Sequence, residues 1–141
     1  MPGKEELDHT GTQHLGDHFI AEFYSCDPSI LNNIDAVSNI MNRAAEISGA
    51  TIIKPFFHRF SPHGISGIIV VAESHFAIHT WPEHSYAAVD IFSCGTFGYI
   101  DALRHISDSL RSGSYSIHRI KRGEMNTNGR DSFLYHEKIA L

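Results

Sequence analysis

The sequence lacks any long hydrophobic run. Its longest uninterrupted apolar stretch is Ile68 to Ala72, far shorter than the roughly 20 residues that a membrane-spanning helix needs. The first 16 residues are mostly polar and show neither the apolar segment nor the small-residue cleavage site of a secretory signal. We therefore expect a soluble cytoplasmic protein with no membrane partner.

Cysteine and clustered positive charge are also scarce. The chain has two cysteines, Cys26 and Cys94, and we expect both to be free thiols because structural disulfides are unusual in the cytoplasm. The formal net charge is -5, and the only basic cluster is a short group from Arg119 to Arg122. Nucleic acid is therefore not an expected partner.

What is present favours one domain. A chain of 141 residues with 42% hydrophobic residues has enough apolar material for one core. We predict a single domain over residues 1–141. Within it, residues 1–15 form a flexible tail, residues 16–122 the core and residues 123–141 a loosely attached C-terminal segment.

Hydrophobic periodicity predicts the first two elements. Residues 16–24 alternate polar and apolar side chains with the period of a half-buried strand. Asp27 then offers a helix N-cap, and Pro28 suits the first helical position. Apolar residues at spacings of three and four continue to Ile47, and Gly49 is a natural stop. The pattern predicts one long amphipathic helix.

The remaining elements are mostly strands. We predict extended segments over 50–60, 65–73 and 74–80, a strand over 86–92, a helix from Ile100 that Gly113 ends, and a strand over 114–122. The apolar run in the second extended segment indicates a strand covered on both faces. Hairpin-linked strands with two helical segments predict an α+β fold, a two-layer sandwich of a mostly antiparallel sheet with helices on one face.

Polar groups of catalytic type crowd into residues 57–95. They are Ser66, Glu73, Ser74, His75, His79, Glu83, His84 and Cys94. Each one alone has a structural explanation, such as a strand-end cap or a hydrogen bond to the backbone. Their concentration within otherwise apolar strands is what indicates a site.

Two chemistries are compatible with these residue types. A metal site would use His75, His79 and His84, but His75 and His79 stand about 13 Å apart along an extended chain, and no paired ligand motif completes the set. A hydrolase would use Cys94 or Ser74 as nucleophile with His79 as base, but neither nucleophile lies in a known elbow or protease signature. Both readings stay open.

Five short motifs occur in one order, namely FHRF at 57–60, GISG at 64–67, ESH at 73–75, HTWPE at 79–83 and FSCG at 92–95. Together with AEFY at 21–24 they resemble the prokaryotic pyruvoyl-dependent S-adenosylmethionine decarboxylase proenzyme family. The resemblance covers about residues 16–122. Several separated motifs in a fixed order are far more specific than any one of them.

The resemblance implies that the chain cuts itself between Glu73 and Ser74, giving chains 1–73 and 74–141. Ser74 attacks the Glu73 carbonyl, and the resulting ester eliminates to leave a pyruvoyl group derived from Ser74. His79 corresponds to the proton acceptor of this processing, which suits the side chain most easily neutral near pH 7. Ser66 corresponds to the hydroxyl that supports the intermediate. On strands Ser74 shares the parity of Ser66, so a hairpin could bring them together, which the sequence alone does not show.

The resemblance also implies the catalytic cycle. The pyruvoyl ketone forms a Schiff base with the substrate amine and serves as the electron sink, so no bound cofactor and no metal are expected. Cys94 corresponds to the proton donor, since a thiol is acidic enough to supply a proton near neutrality. Phe60 resembles the residue that stacks on adenine, and Glu83 the carboxylate that binds the ribose hydroxyls.

The implied reaction converts S-adenosylmethionine to decarboxylated S-adenosylmethionine and CO2 for spermidine biosynthesis. Two alternatives remain, a pyruvoyl-dependent arginine decarboxylase on the same scaffold and a non-catalytic regulatory relative. Family members pair, so the expected assembly is a homodimer of cut protomers.

Overall fold

The computed structural model describes residues 6–7, 13–94, 98–124 and 136–141. Its main sheet has seven strands in the order β4-β5-β6-β7-β3-β8-β9. These strands are β3 (Gly16–Tyr24), β4 (Ile52–Arg59), β5 (Ile65–Val71), β6 (Ser74–Trp81), β7 (Tyr86–Ser93), β8 (Ser114–Arg122) and β9 (His136–Ile139). Every neighbouring pair is antiparallel. A separate two-stranded sheet joins β1 (Glu6–Leu7) to β2 (Gln13–His14).

Helices cover one face of the main sheet. They are α1 (Pro28–Leu31), α2 (Ile34–Ser48) and α3 (Tyr99–Ser109), and a 3-10 helix, η1 (Pro82–His84), joins β6 to β7. The strand residues that point toward the helices, such as Phe19, Phe23, Phe76 and Ile91, are almost fully buried. We call this the helical face and the opposite one the open face. The predicted two-layer α+β sandwich is confirmed.

The predicted long helix is wrong in one respect, because it breaks between Leu31 and Ile34. Asn33 has an extended backbone, and its side chain accepts a hydrogen bond from the Ala36 N–H, which caps a new helix. The predicted ends are confirmed. Asp27 caps α1 at its start, and Gly49 ends α2 in the left-handed conformation with φ of 85°.

Strand β5 is not covered on both faces, contrary to the expectation from its apolar run. Ile65, Ile69 and Val71 are buried, whereas Ile68 and Val70 on the open face are 41% and 43% exposed. The helices shield only one side of the sheet. An apolar run in this chain therefore marks an exposed hydrophobic surface as well as a core.

The C-terminal residues that the structure describes belong to the sheet. Strand β9 pairs with β8, and the Leu141 N–H donates to the Tyr115 hydroxyl at 2.8 Å. The expected loose attachment of residues 123–141 therefore does not extend to 136–141, and residues 125–135 lie outside the described part. Helix α3 ends at Ser109, before Gly113, whose N–H donates to the Tyr24 carbonyl.

Among the described residues, no helix combines the length and apolar character needed to cross a bilayer.

Thr80 joins the sheet to the end of α1. Its buried hydroxyl accepts from the Ile65 N–H at 2.9 Å and donates to the Leu31 carbonyl at 2.8 Å. Replacing Thr80 by Val keeps the shape but leaves both backbone groups unpaired. We expect the free energy of unfolding to fall by about 2–4 kcal/mol, measured by urea denaturation of uncut chain carrying Ser74→Ala. Thr80→Ser keeps the hydroxyl and should lose less than half as much, and equal losses would contradict this role.

Candidate active site

The predicted cleavage bond lies in the tight turn between β5 and β6. Val71 pairs with Ser74, so Ala72 and Glu73 alone form the turn. Glu73 has φ of 69°, in the left-handed region that non-glycine residues rarely adopt and that stores strain of order 1 kcal/mol or more. The Glu73–Ser74 bond therefore follows a strained residue and opens a central strand.

Cys94 contacts this bond directly. It follows β7, whose last residue, Ser93, pairs with Ser74. The Cys94 Sγ donates to the Glu73 carbonyl oxygen at 3.1 Å. Partial burial, with the Glu73 carboxylate nearby, raises the pKa of the Cys94 thiol. The thiol is therefore protonated at neutral pH and remains a donor to the carbonyl.

A pocket with a volume of about 360 Å³ opens beside Ser74 on the helical face. Its walls come from the end of α2, from the β5–β6 turn and from the first part of β6. Ser93 also lines it. Ser74 is half-buried, so the group at position 74 borders space that a small polar molecule can enter.

Ser66 and His79 form a second group at the other end of the β5–β6 hairpin. They are directly paired across the two strands, and Ser66 Oγ lies 2.7 Å from His79 Nδ1. Both side chains point to the open face. The pair has the geometry in which a hydroxyl fixes the orientation of an imidazole.

The hairpin separates Ser66 from Ser74, so it does not bring them together although their equal parity allowed this. The turn pairs Ser74 with Val71 on the helical face and places Ser66 opposite His79 on the open face. His79 lies five positions after Ser74 along β6, a distance of about 17 Å at the usual rise per residue. Within one chain, the predicted site therefore consists of two groups.

Phe60 and Glu83 lie at the same end as Ser66 and His79. Phe60 is half exposed, packs edge to face on His58 with ring centroids 4.7 Å apart, and closes its loop by donating its N–H to the Gly64 carbonyl. Glu83 sits on η1 and pairs with His63 at 3.1 Å.

A wide pocket of about 730 Å³ adjoins Glu83. Arg59, His63 and Pro82 line it together with the α1–α2 connection. Its size suits a ligand of nucleoside dimensions, and His63 is a partner of Glu83 that the sequence did not indicate.

The sequence also gave no sign of a polar cluster on the open face near Ser74. Asp90 Oδ2 accepts from His75 Nε2 at 2.8 Å and from His18 Nε2 at 3.0 Å. Arg122 Nη1 lies 3.3 Å from His18 Nδ1, and its guanidinium stacks on Phe92 with a centroid distance of 4.9 Å. Only the strand register brings these residues together.

Among the described residues, His18, His75 and Asp90 form the one group whose ligand atoms lie close enough together, within 4.8 Å, to hold a metal ion. Arg122 argues against a metal there. A guanidinium only donates hydrogen bonds, so the His18 Nδ1 that faces it must accept, and the proton of His18 stays on the Nε2 that a metal would need. The alternative metal site of His75, His79 and His84 is not brought together, because His75 bonds Asp90 and His79 bonds Ser66.

Comparison with known proteins identifies close relatives. Residues 17–123 match the S-adenosylmethionine decarboxylase family. The chain is 46% identical over 128 residues to the S-adenosylmethionine decarboxylase proenzyme of Acidithiobacillus ferrooxidans, covering 90% of this chain and 96% of that protein. It is 59% identical over 113 residues to the proenzyme of Fervidobacterium nodosum, covering 72% and 82%.

A solved structure has the same fold. The adenosylmethionine decarboxylase from Aquifex aeolicus superposes with a TM-score of 0.72 at 27% identity, covering 84% of this chain and 98% of that one. The similarity therefore extends over most of this chain and nearly all of that one.

Proposed function

The chain belongs to the S-adenosylmethionine decarboxylase family, and we propose that it cuts itself between Glu73 and Ser74 to make a pyruvoyl-dependent enzyme. It converts S-adenosylmethionine to decarboxylated S-adenosylmethionine and CO2, and the product supplies the aminopropyl group of spermidine. The observation that carries the proposal is the contact of the Cys94 thiol with the carbonyl of the strained Glu73 residue. Relatives named as proenzymes support self-processing.

The proposed cut begins at the Glu73 carbonyl carbon. The Ser74 Oγ attacks it, the C–N bond breaks, and the peptide becomes an ester with a free Ser74 amine. A base then removes the Ser74 Cα proton, and the Glu73 carboxylate leaves from Cβ. The dehydroalanine that remains takes up water and releases ammonia, which leaves a pyruvoyl group at the start of chain 74–141.

Three features of the site favour this rearrangement. The left-handed backbone at Glu73 stores strain that breaking the turn releases. The Cys94 thiol donates to the oxygen on which negative charge develops during attack. We assign removal of the Ser74 Cα proton to His79, because the contact of its Nδ1 with Ser66 fixes the orientation of the imidazole.

The residues around Ser74 fit a pyruvoyl group. Position 74 is the first residue of a central strand and borders the 360 Å³ pocket. It pairs with Ser93, the residue that precedes Cys94. Such a group supplies an electrophilic ketone and an electron sink for decarboxylation. Cys94 would donate the proton to carbon, and its raised pKa keeps that proton on sulfur until it is needed.

Substrate recognition is assigned to the other end of the hairpin. Phe60 presents a half-exposed ring suited to stacking on adenine and to the positive sulfonium. Glu83 presents a carboxylate at the edge of the larger pocket, where it can accept from two ribose hydroxyls. Arginine, the substrate in the alternative function, has no nucleoside that could contact these two groups.

The separation of about 17 Å within one chain supports a site that two chains share. We propose that a homodimer joins the Ser74 and Cys94 group of one protomer to the Ser66, His79, Phe60 and Glu83 group of its partner. The open face carries exposed hydrophobic side chains for such a contact, since Ile20, Tyr24, Phe56, Ile68, Val70 and Trp81 on it are 38% to 61% exposed. Several large exposed hydrophobic side chains on one face are typical of an interface.

Replacing Ser74 by Ala removes the attacking oxygen. We expect denaturing electrophoresis and intact mass to show one uncut chain with no release of CO2 from S-adenosylmethionine. Wild type should give two chains, and the smaller one, residues 74–141, should begin at a blocked residue 74. Ser38→Ala, a serine on α2 far from the turn, should process and turn over normally. Decarboxylation by the uncut variant, or faster CO2 release from arginine than from S-adenosylmethionine by wild type, would contradict the proposal.

Mixed dimers test whether the site is shared. Ser74→Ala alone should stay uncut, and His79→Ala alone should process about 10²- to 10⁴-fold more slowly. When the two are co-expressed with different tags, a mixed dimer pairs an intact Ser74 with an intact His79. The His79→Ala chain should then be cut in about half of the molecules, as random pairing gives.

The tags decide between a shared and a single-chain site. If the two chains co-purify and the His79→Ala chain still stays uncut, the shared site is wrong. If the Ser74→Ala chain is the one that is cut, Ser74 is not the attacking residue.

A further inference from the structure

The cluster around Asp90 has no role in the reaction described above. Asp90 lies on β7 between His18 on β3 and His75 on β6 and accepts a hydrogen bond from each. Arg122 on β8 adds a fourth strand through its contact with His18. The cluster therefore links four neighbouring strands on the open face, and one member, His75, directly follows the cleavage bond.

The charges of Asp90 and Arg122 determine the directions of the hydrogen bonds in this cluster. Burial alone would raise the pKa of the Asp90 carboxyl, but the hydrogen bonds from His18 and His75 hold it well below its usual value. Arg122 donates to His18 Nδ1, which leaves the His18 Nε2 proton for Asp90. Asp90 is thus a fixed, ionised acceptor, and hydrogen bonds to a charged acceptor are stronger than neutral ones.

Self-cleavage changes what holds the start of β6. In the uncut chain the two-residue turn joins β6 covalently to β5 just before Ser74. After the cut, residue 74 is a chain end, and chain ends fray unless other contacts hold them. Thereafter the sheet ladder and the His75 side chain secure this end.

We propose that the hydrogen bond from His75 to Asp90 anchors the new chain end and keeps the group at position 74 facing Cys94. His75 and Asp90 are positioning residues, and His18 with Arg122 orients Asp90. The inference rests on the proposed function, because it concerns the chain that self-processing creates. Its physical basis is that the cut breaks the turn next to residue 74, where the reactive group must stay in a fixed position.

Amide hydrogen exchange followed by mass spectrometry tests the anchor without measuring activity. In cut protein, Asp90→Ala should raise exchange in peptides covering residues 75–80 by about tenfold or more, the effect of losing one charge-assisted hydrogen bond. In uncut protein carrying Ser74→Ala, the same substitution should have a much smaller effect, because the turn still holds β6.

Two further variants separate the anchor from general damage to the fold. His75→Ala removes the same hydrogen bond from the other side, so it should match Asp90→Ala, and the double variant should add little. His18→Ala removes the other partner of Asp90 and should raise exchange less. Asp90→Asn keeps an acceptor oxygen without the charge and should lie between wild type and Asp90→Ala, which provides a testable protein if the alanine variant does not fold.

A kinetic measurement complements the exchange data. In cut Asp90→Asn, kcat for S-adenosylmethionine should fall with KM nearly unchanged, because Asp90 bonds His18 and His75 and not the groups assigned to substrate binding. Equal exchange increases in cut and uncut protein would overturn the anchor and leave a structural role. Failure of the wild-type chain to cut at all would instead refute the proposed function.

Discussion

The register of the β5–β6 hairpin is the constraint on which the rest of the site depends. Pairing Val71 with Ser74 leaves two residues for the turn, and this forces Glu73 into a left-handed backbone. The same register sends Ser74 to the helical face, with Ser93 of β7 beside it, and brings the thiol that follows to the Glu73 carbonyl. A shift of one residue would turn every side chain of β6 to the other face. This one register therefore places the strained Glu73 backbone, the Cys94 donor and Ser74, the proposed nucleophile.

The same hairpin explains why one chain does not contain a whole site. A hairpin with a tight turn keeps its two ends apart by the full strand length, so groups at the turn and groups at the open end cannot meet within it. Ser74, Glu73 and Cys94 lie at the turn, whereas Ser66, His79 and the groups suited to a nucleoside lie at the far end. The proposed pairing of two chains would bring the turn of one chain to the far end of the other, so that both sets serve one reaction.

The sequence predicts much of this fold, and the exceptions have identifiable causes. Alternation over Gly16–Tyr24 and over Ser114–Arg122 predicts two strands correctly, because one covered face gives a clear period of two. The break after Leu31 is hidden, since the apolar spacing continues across it while Asn33 caps a new helix. Motif order brings out Ser74 and Cys94. Asp90 stays hidden because its partners His18 and His75 are distant in sequence, and only the cross-strand register reveals them.

The order of strands determines what would become of the two fragments that the proposed cut creates. Chain 1–73 contains β3, β4 and β5, whereas chain 74–141 contains β6, β7, β8 and β9. In the sheet, β3 lies between β7 and β8, and β5 lies against β6. The N-terminal fragment is thus interleaved with the C-terminal one at two places. Unlike a propeptide that dissociates after activation, it could not leave without dismantling the sheet, so the proposed cut would give a permanent two-chain molecule whose halves fold as one.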